Sequence, residues 1–256
     1  MSTFIPRSYT SATVRDVPRT KRSLLAAAIA AAVLIVAVAV VMSHAGSASD
    51  DAGGAPTGSS QTRALFRGIP QRGIALGDPR APVTLTEFAD LQCPFCRQYA
   101  ENVLPTLVTR YVRSGELRLV FRNISFIGPD SERAARLAAA AGLQDRLWQF
   151  TDLVYRNQGK ENSGYITDAY LRRIAQAAGV DGGRAFAAAG GSAVGRQLGA
   201  AAREAQRSGV DSTPSFVLSR AGAPPRRFSP SSLTVDAFAG PIARLIDVSA
   251  QAHTVG

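Results

Sequence analysis

Residues 83–96 read Val-Thr-Leu-Thr-Glu-Phe-Ala-Asp-Leu-Gln-Cys-Pro-Phe-Cys, and this stretch decides the fold. Val83 to Phe88 is rich in β-branched and apolar side chains, as a strand is. Pro94 then opens a helix predicted to run to Arg113, because a first helical turn has no use for the N–H that proline lacks. Cys93 and Cys96 are the only cysteines among 256 residues. Two cysteines three positions apart cannot join distant parts of a fold. At a strand-to-helix junction, backbone N–H groups and the helix dipole favour negative charge, so one thiol should ionise more easily than free cysteine. That geometry suits thiol–disulfide exchange, in which a thiolate attacks a disulfide sulfur.

Other roles for the pair are weaker. A zinc site needs about four ligands, and the chain adds only His44, beside an apolar segment, and His253, near the C-terminus. A purely structural disulfide would close so small a loop that it would stabilise little. Inert core thiols would not call for a proline and a helix start. No metal and no cofactor is expected.

Residues 24–42 carry no charged or strongly polar side chain. As a helix they would extend roughly 28 Å, close to the thickness of a bilayer core. Residues 1–23 form a basic tail with Arg7, Arg15, Arg19, Lys21 and Arg22 against Asp16. The positive-inside rule keeps that tail in the cytoplasm and exports the chain beyond Met42. The segment therefore reads as a single-pass transmembrane signal-anchor. A cleaved signal peptide is the alternative, although its apolar core is usually only about 7–15 residues. Either outcome puts the cysteines in an oxidising compartment. Residues 43–72, rich in Gly, Ala, Ser and Thr, read as a flexible linker spanning roughly 30 Å. Residues 73–250 suffice for one domain with a proper core.

The net charge of +10 raises the question of nucleic-acid binding. The tail supplies part of it, and the rest is scattered arginine without interleaved aromatic residues. No nucleic-acid partner is expected.

Within the exported part, Leu117 to Ile124 alternates as a second strand. A helical block then fills about 129–209. Asp130 or Ser131 caps its first helix, Leu143 to Val154 marks a second, and Thr167 and Asp181 cap two more. A fifth spans roughly Ser192 to Ser208. Trp148 and Tyr155 read as packing residues of this bundle. Pro214 to Ser219 resumes the strand pattern, Arg226 to Phe228 returns, and Leu233 to Val248 closes as an amphipathic helix. The order predicts an α/β sheet with helices on both faces and one helical insert.

Several stretches together carry a resemblance: Leu76-Gly77-Asp78, Ala81-Pro82-Val83-Thr84, Glu87-Phe88-Ala89-Asp90 and Cys93-Pro94-Phe95-Cys96. To these add Phe121-Arg122 to Ala135 and Gly209-Val210-Asp211-Ser212-Thr213-Pro214-Ser215-Phe216. The chain resembles the DsbA-like thiol oxidoreductases over roughly residues 72–248, and more specifically their membrane-anchored bacterial branch. The resemblance implies a thioredoxin-like fold with an α-helical insertion, and disulfide exchange in exported proteins. By position, Cys93 would be the exposed nucleophile and Cys96 the buried resolving thiol. Pro214 would be the family's cis-proline, with Thr213 offering backbone groups to a substrate beside Pro94 and Phe95. An ordinary strand-starting proline is the alternative. Glu87 would be a buried acid that relays the proton of Cys96, unless it faces outward from its strand.

Two departures stand out. Phe95 replaces the histidine of the strongest oxidants and cannot stabilise a thiolate by charge. Ser212 stands where relatives often have glycine. The expected partners are reduced exported proteins and a membrane-embedded, quinone-linked reoxidant. A reductant or isomerase with the same cysteines, a tethered peptide-binding or chaperone module, and a glutathione-dependent transferase are the rival functions.

Overall fold

The computed structural model describes residues 54–254. The predicted tail and the predicted anchor over 24–42 lie outside them. Among the described residues, no helix is long and apolar enough to cross a membrane.

The order opens with α1 (Ser59–Phe66) and the short strands β1 (Gln71–Arg72) and β2 (Ala75–Leu76). Next come β3 (Val83–Ala89), α2 (Pro94–Asn102), α3 (Leu104–Leu107), a π turn at Val108–Val112, and β4 (Leu117–Asn123). The insert holds α4 (Pro129–Gly142), α5 (Leu147–Arg156), α6 (Asp168–Ala177), α7 (Gly182–Ala189) and α8 (Ser192–Arg207). Strands β5 (Ser215–Arg220) and β6 (Arg226–Phe228) and helix α9 (Val235–Thr254) close the fold.

The sheet order is β1-β2-β4-β3-β5-β6. Strand β3 runs parallel to β4, with Glu87 opposite Phe121, and antiparallel to β5, with Glu87 opposite Phe216. The parallel pair joined through α2 and α3 is a βαβ unit. Because side chains alternate across a strand, Glu87, Phe121 and Phe216 share one face of the sheet. Tyr99 of α2, Phe216 and Phe238 of α9 meet there with ring centroids 4.8–5.2 Å apart, and Trp148 of α5 packs edge-on against Phe121. On the opposite face Phe88 and Val217 pack with Ala201 and Ala205 of α8. Arg122 of β4 pairs with Glu204 of α8 at 2.5 Å.

The structure differs from the sequence expectation in four places. The stretch read as linker is ordered well before residue 72: α1 buries Thr62 and Phe66, and the Thr62 hydroxyl donates to the buried Asp152 carboxylate. A buried aromatic ring and a buried polar pair suffice to dock eight residues whose composition alone looks like tether. The helix predicted from Pro94 to Arg113 breaks at Val103, since Pro105 has no N–H to continue the ladder, and the chain restarts as α3. Helix α4 begins at Pro129 after Gly128, with neither Asp130 nor Ser131 as its cap. The Ser131 hydroxyl donates instead to the Asp90 carboxylate. Leu143 belongs to the turn after α4 and is half exposed, so the second helix of the insert starts at Leu147. Thr167 and Asp181 do cap α6 and α7, accepting from the Tyr170 and Arg184 N–H groups.

Candidate active site

Strand β3 ends at Ala89, and Asp90-Leu91-Gln92 makes the turn into α2. The turn is held from inside by the fully buried Asp90 carboxylate. One oxygen accepts from the Gln92 N–H at 2.8 Å and the Ser131 hydroxyl at 2.6 Å. The other accepts from the Phe126 and Ile127 N–H groups at 2.7 and 3.0 Å. The Asp90 carbonyl receives the Cys93 N–H at 3.1 Å and the Tyr155 hydroxyl at 3.3 Å. Gln92 is clasped in turn by Ser131 and by the Asn162 N–H, and Gln158 donates to the Leu91 and Cys93 carbonyls. Gly128 has φ +151, and any Cβ there would meet the Asn162 amide. The insert thus builds the underside of the dithiol turn.

Cys93 takes the N-cap position of α2 and Pro94 its first turn. Both thiols are free, which is the reduced state. The Cys93 sulfur lies 3.3 Å from the Thr213 carbonyl oxygen, and the Thr213–Pro214 peptide is cis. Cys96 is wholly buried one helical turn inward. Phe95 is 61% exposed beside them, and Pro94 is also exposed.

The two sulfurs differ in acidity. The hydrogen bond from the Cys96 thiol, helped by the Thr213 side chain and by the N–H groups of Cys96 and Phe95, pulls the Cys93 thiol down to about 6 against the opposing effect of burial. Burial, reinforced by the Cys93 neighbour, pushes Cys96 well above the usual thiol range. A histidine in the dipeptide is therefore not needed for an acidic Cys93: hydrogen bonds at a helix start supply the stabilisation.

Glu87 is only 4% exposed, and one of its carboxylate oxygens has no partner. Burial and the nearby Cys93 push its pKa up to about 8. The carboxyl is consequently protonated at neutral pH and able to exchange a proton as the dithiol changes state. Tyr99 and Tyr155 lie close enough to feel the acid, their own ionisation suppressed by burial first and by charge on Glu87 besides. Because the pKa is raised, the neutral carboxyl's contribution to stability is fully present below about pH 4.5 and lost as the pH climbs through about 8. Glu87→Gln is expected to gain about 2–4 kcal/mol over the parent at pH 8 and nothing at about pH 4, measured by chemical denaturation at both pH values.

Cys93, Cys96, Thr213, Pro214 and Glu87 are thus brought together, with Pro94 and Phe95 at the exposed side. Cys93 itself is buried, at 5% exposure, and not the exposed nucleophile the resemblance implies, because the Thr213–Pro214 loop lies against its sulfur. Asp90, Gln92, Tyr155 and Ser131 complete the site and were not singled out from sequence as site residues. Asp90 stands within the motif Glu87-Phe88-Ala89-Asp90; an aspartate directly after an apolar strand and two residues before a turn N–H is the signal that marks it.

A sheet of this order with a helical insertion, and a Cys-x-x-Cys dithiol at a helix start facing a cis-proline, define the thioredoxin class of dithiol proteins. Residues 70–221 match the family model described as Thioredoxin, which is more than half of the 256 residues, and the chain belongs to that family. The "Probable disulfide bond formation protein D" of Bacillus cereus is 40% identical over 102 residues, which is 39% of this chain and 47% of that protein. The chain spans about half the length of the curated relatives of this kind that it matches. Among solved structures, oxidised BdbD from Bacillus subtilis superposes with a TM-score of 0.60 at 19% identity, covering 70% of this chain and 97% of that one. Wolbachia pipientis alpha-DsbA1 gives a TM-score of 0.60 at 19% identity, over 73% and 96%. Both share the thioredoxin-like fold with its helical insertion.

Proposed function

We propose that this protein is an extracytoplasmic thiol:disulfide oxidoreductase that introduces disulfides into exported proteins through Cys93 and Cys96. The observation that carries this is the asymmetry of the dithiol: an acidic sulfur against the Thr213 carbonyl, and a deeply buried partner one turn away. The relatives named for disulfide bond formation support the same activity.

In the oxidised protein a client thiolate attacks the Cys93 sulfur. A client–Cys93 bond forms, the Cys93–Cys96 bond breaks, and Cys96 leaves with the electron pair. Glu87 supplies the proton that Cys96 takes up. A second client thiolate then attacks the client sulfur of the mixed disulfide, and Cys93 leaves as the thiolate that its hydrogen bonds stabilise. Two electrons have passed from client to protein, and the client holds a new disulfide. Thr213 and Pro214, with Pro94 and Phe95, form the surface on which the client chain lies.

The apolar segment over 24–42 anchors the domain on the outer side of the membrane, with the N-terminus cytoplasmic. A membrane-embedded, quinone-linked partner reoxidises the dithiol, and tethering raises the effective concentration of the pair. The test is oxidation of a reduced, denatured multi-cysteine client by the oxidised full chain. Stoichiometric loss of client thiols is expected; client thiols that persist at the uncatalysed rate would overturn the proposal.

A further inference from the structure

Where β4 ends, a cleft of about 620 Å³ opens between that strand end, α4 and α8, a volume typical of ligand sites. Ile124, Leu198, Ala202 and Val210 line it, together with the half-exposed Phe126. Asn123 also lines it. This residue is 8% exposed, and neither the nitrogen nor the oxygen of its side-chain amide has a partner. Leu117, Leu119 and Phe121 occupy the same face of β4, so an apolar side chain would suit position 123 better for folding alone. Burying an unpaired carboxamide costs stability, which points to a polar group from outside the fold.

We propose that this cleft holds an extended, apolar stretch of the reduced client polypeptide, with the Asn123 amide pairing one of its peptide units. The proposal rests on the exchange function of the dithiol. A carboxamide offers an acceptor and a donor side by side, matching the C=O and N–H that a peptide presents. Strand β2 pairs with β4 only as far as Val120, so among the described residues no strand lies beside Asn123 on that edge.

Two connections link the cleft to the dithiol. The Phe126 N–H donates to the Asp90 carboxylate, and the Asp90 carbonyl receives the Cys93 N–H. Val210 stands three residues before Thr213, whose carbonyl touches the Cys93 sulfur. A client chain held at Cys93 is therefore expected to place neighbouring residues of its extended backbone in the cleft. A reduced, unfolded client exposes such stretches, whereas a folded one has buried them.

The experiment compares two substrates, dithiothreitol and a reduced, denatured client protein, with the full chain and the variants Asn123→Leu and Ala202→Trp. Ala202 is exposed, so its replacement fills the cleft without entering the core. Both variants are expected to raise the KM for the client about tenfold, with oxidation of dithiothreitol unchanged within about twofold. Asn123→Leu is expected to resist denaturant at least as well as the parent. Unchanged client KM in both variants, with the parent still oxidising the client, would overturn the cleft and leave the exchange function standing. Equal losses with both substrates would also overturn it, by placing the effect at the dithiol. A parent that oxidises neither substrate would overturn the exchange function and the cleft together.

Discussion

Replacing Cys93 by serine is expected to stop disulfide transfer altogether, whereas Cys96→Ser should trap the protein on its clients. At pH 7 a thiol with pKa about 6 carries about ten thiolates for each thiol. Cys96, pushed well above 9, is almost wholly protonated and has no access to a client. Incubated with a disulfide-bearing client, Cys96→Ser presents a Cys93 thiolate that attacks and cannot be released by its neighbour. Mixed disulfides accumulate on non-reducing gels. Cys93→Ser forms none, because the remaining thiol is not ionised and lies a helical turn deeper than Cys93. Adducts formed by Cys93→Ser and absent from Cys96→Ser would reverse the assignment of the two sulfurs.

The second large effect is on stability. Asp90→Ala removes an acceptor that serves four donors, the N–H groups of Gln92, Phe126 and Ile127 and the Ser131 hydroxyl. Each bond to a charged group is worth about 1.5–3 kcal/mol net, and two of the donors left behind, the Gln92 N–H and the Ser131 hydroxyl, are buried. Such contributions do not add fully, so the expected loss is about 4 kcal/mol, at the severe end for one substitution. Asp90→Asn keeps one accepting oxygen but turns an NH₂ toward donors, and about half that loss is expected. Equilibrium denaturation of the reduced protein measures both. A loss below about 1 kcal/mol for Asp90→Ala would mean that the turn before Cys93 is held by other contacts. Loss of exchange is expected alongside, because Phe126, Ser131 and the Cys93 N–H all meet at this carboxylate and its backbone.

Much of the architecture is legible in the chain. The alternation from Leu117, the Cys-Pro-Phe-Cys turn, the apolar strand before it and the caps Thr167 and Asp181 are local signals, and local signals survive in the fold. What is not legible is tertiary. Nothing in Ser59–Phe66 marks it as more than tether until Asp152, ninety residues on, accepts from Thr62. Strands β1 and β2 are two residues each, too short for any periodicity. In the site, Cys93 and Cys96 announce themselves by residue type and spacing, whereas Pro214 and Glu87 are legible only through the resemblance to the DsbA-like proteins. The four-way role of Asp90 does not, since three of its donors come from beyond β4. Phe95 could be read as weakening the nucleophile, because sequence shows a missing charge but not the hydrogen bonds that replace it.

The most direct measurement is the reduction potential of the Cys93–Cys96 pair, titrated against glutathione buffers from about pH 5 to about pH 8. The thiolate's stabilisation of the reduced form is fully present above about pH 9 and lost as the pH falls through about 6; at about pH 7 it amounts to about tenfold, or about 30 mV. Below about pH 6, reduction takes up two protons with two electrons, a slope of about 59 mV per pH unit; above it, one proton and about 30 mV. The expected result is that break in slope near pH 6, with a midpoint at about pH 7 above the roughly −270 mV of thioredoxin. A slope that stays near about 59 mV from about pH 6 to about pH 7, below the range in which Glu87 titrates, or a midpoint at or below about −270 mV, would contradict an oxidant driven by an acidic Cys93.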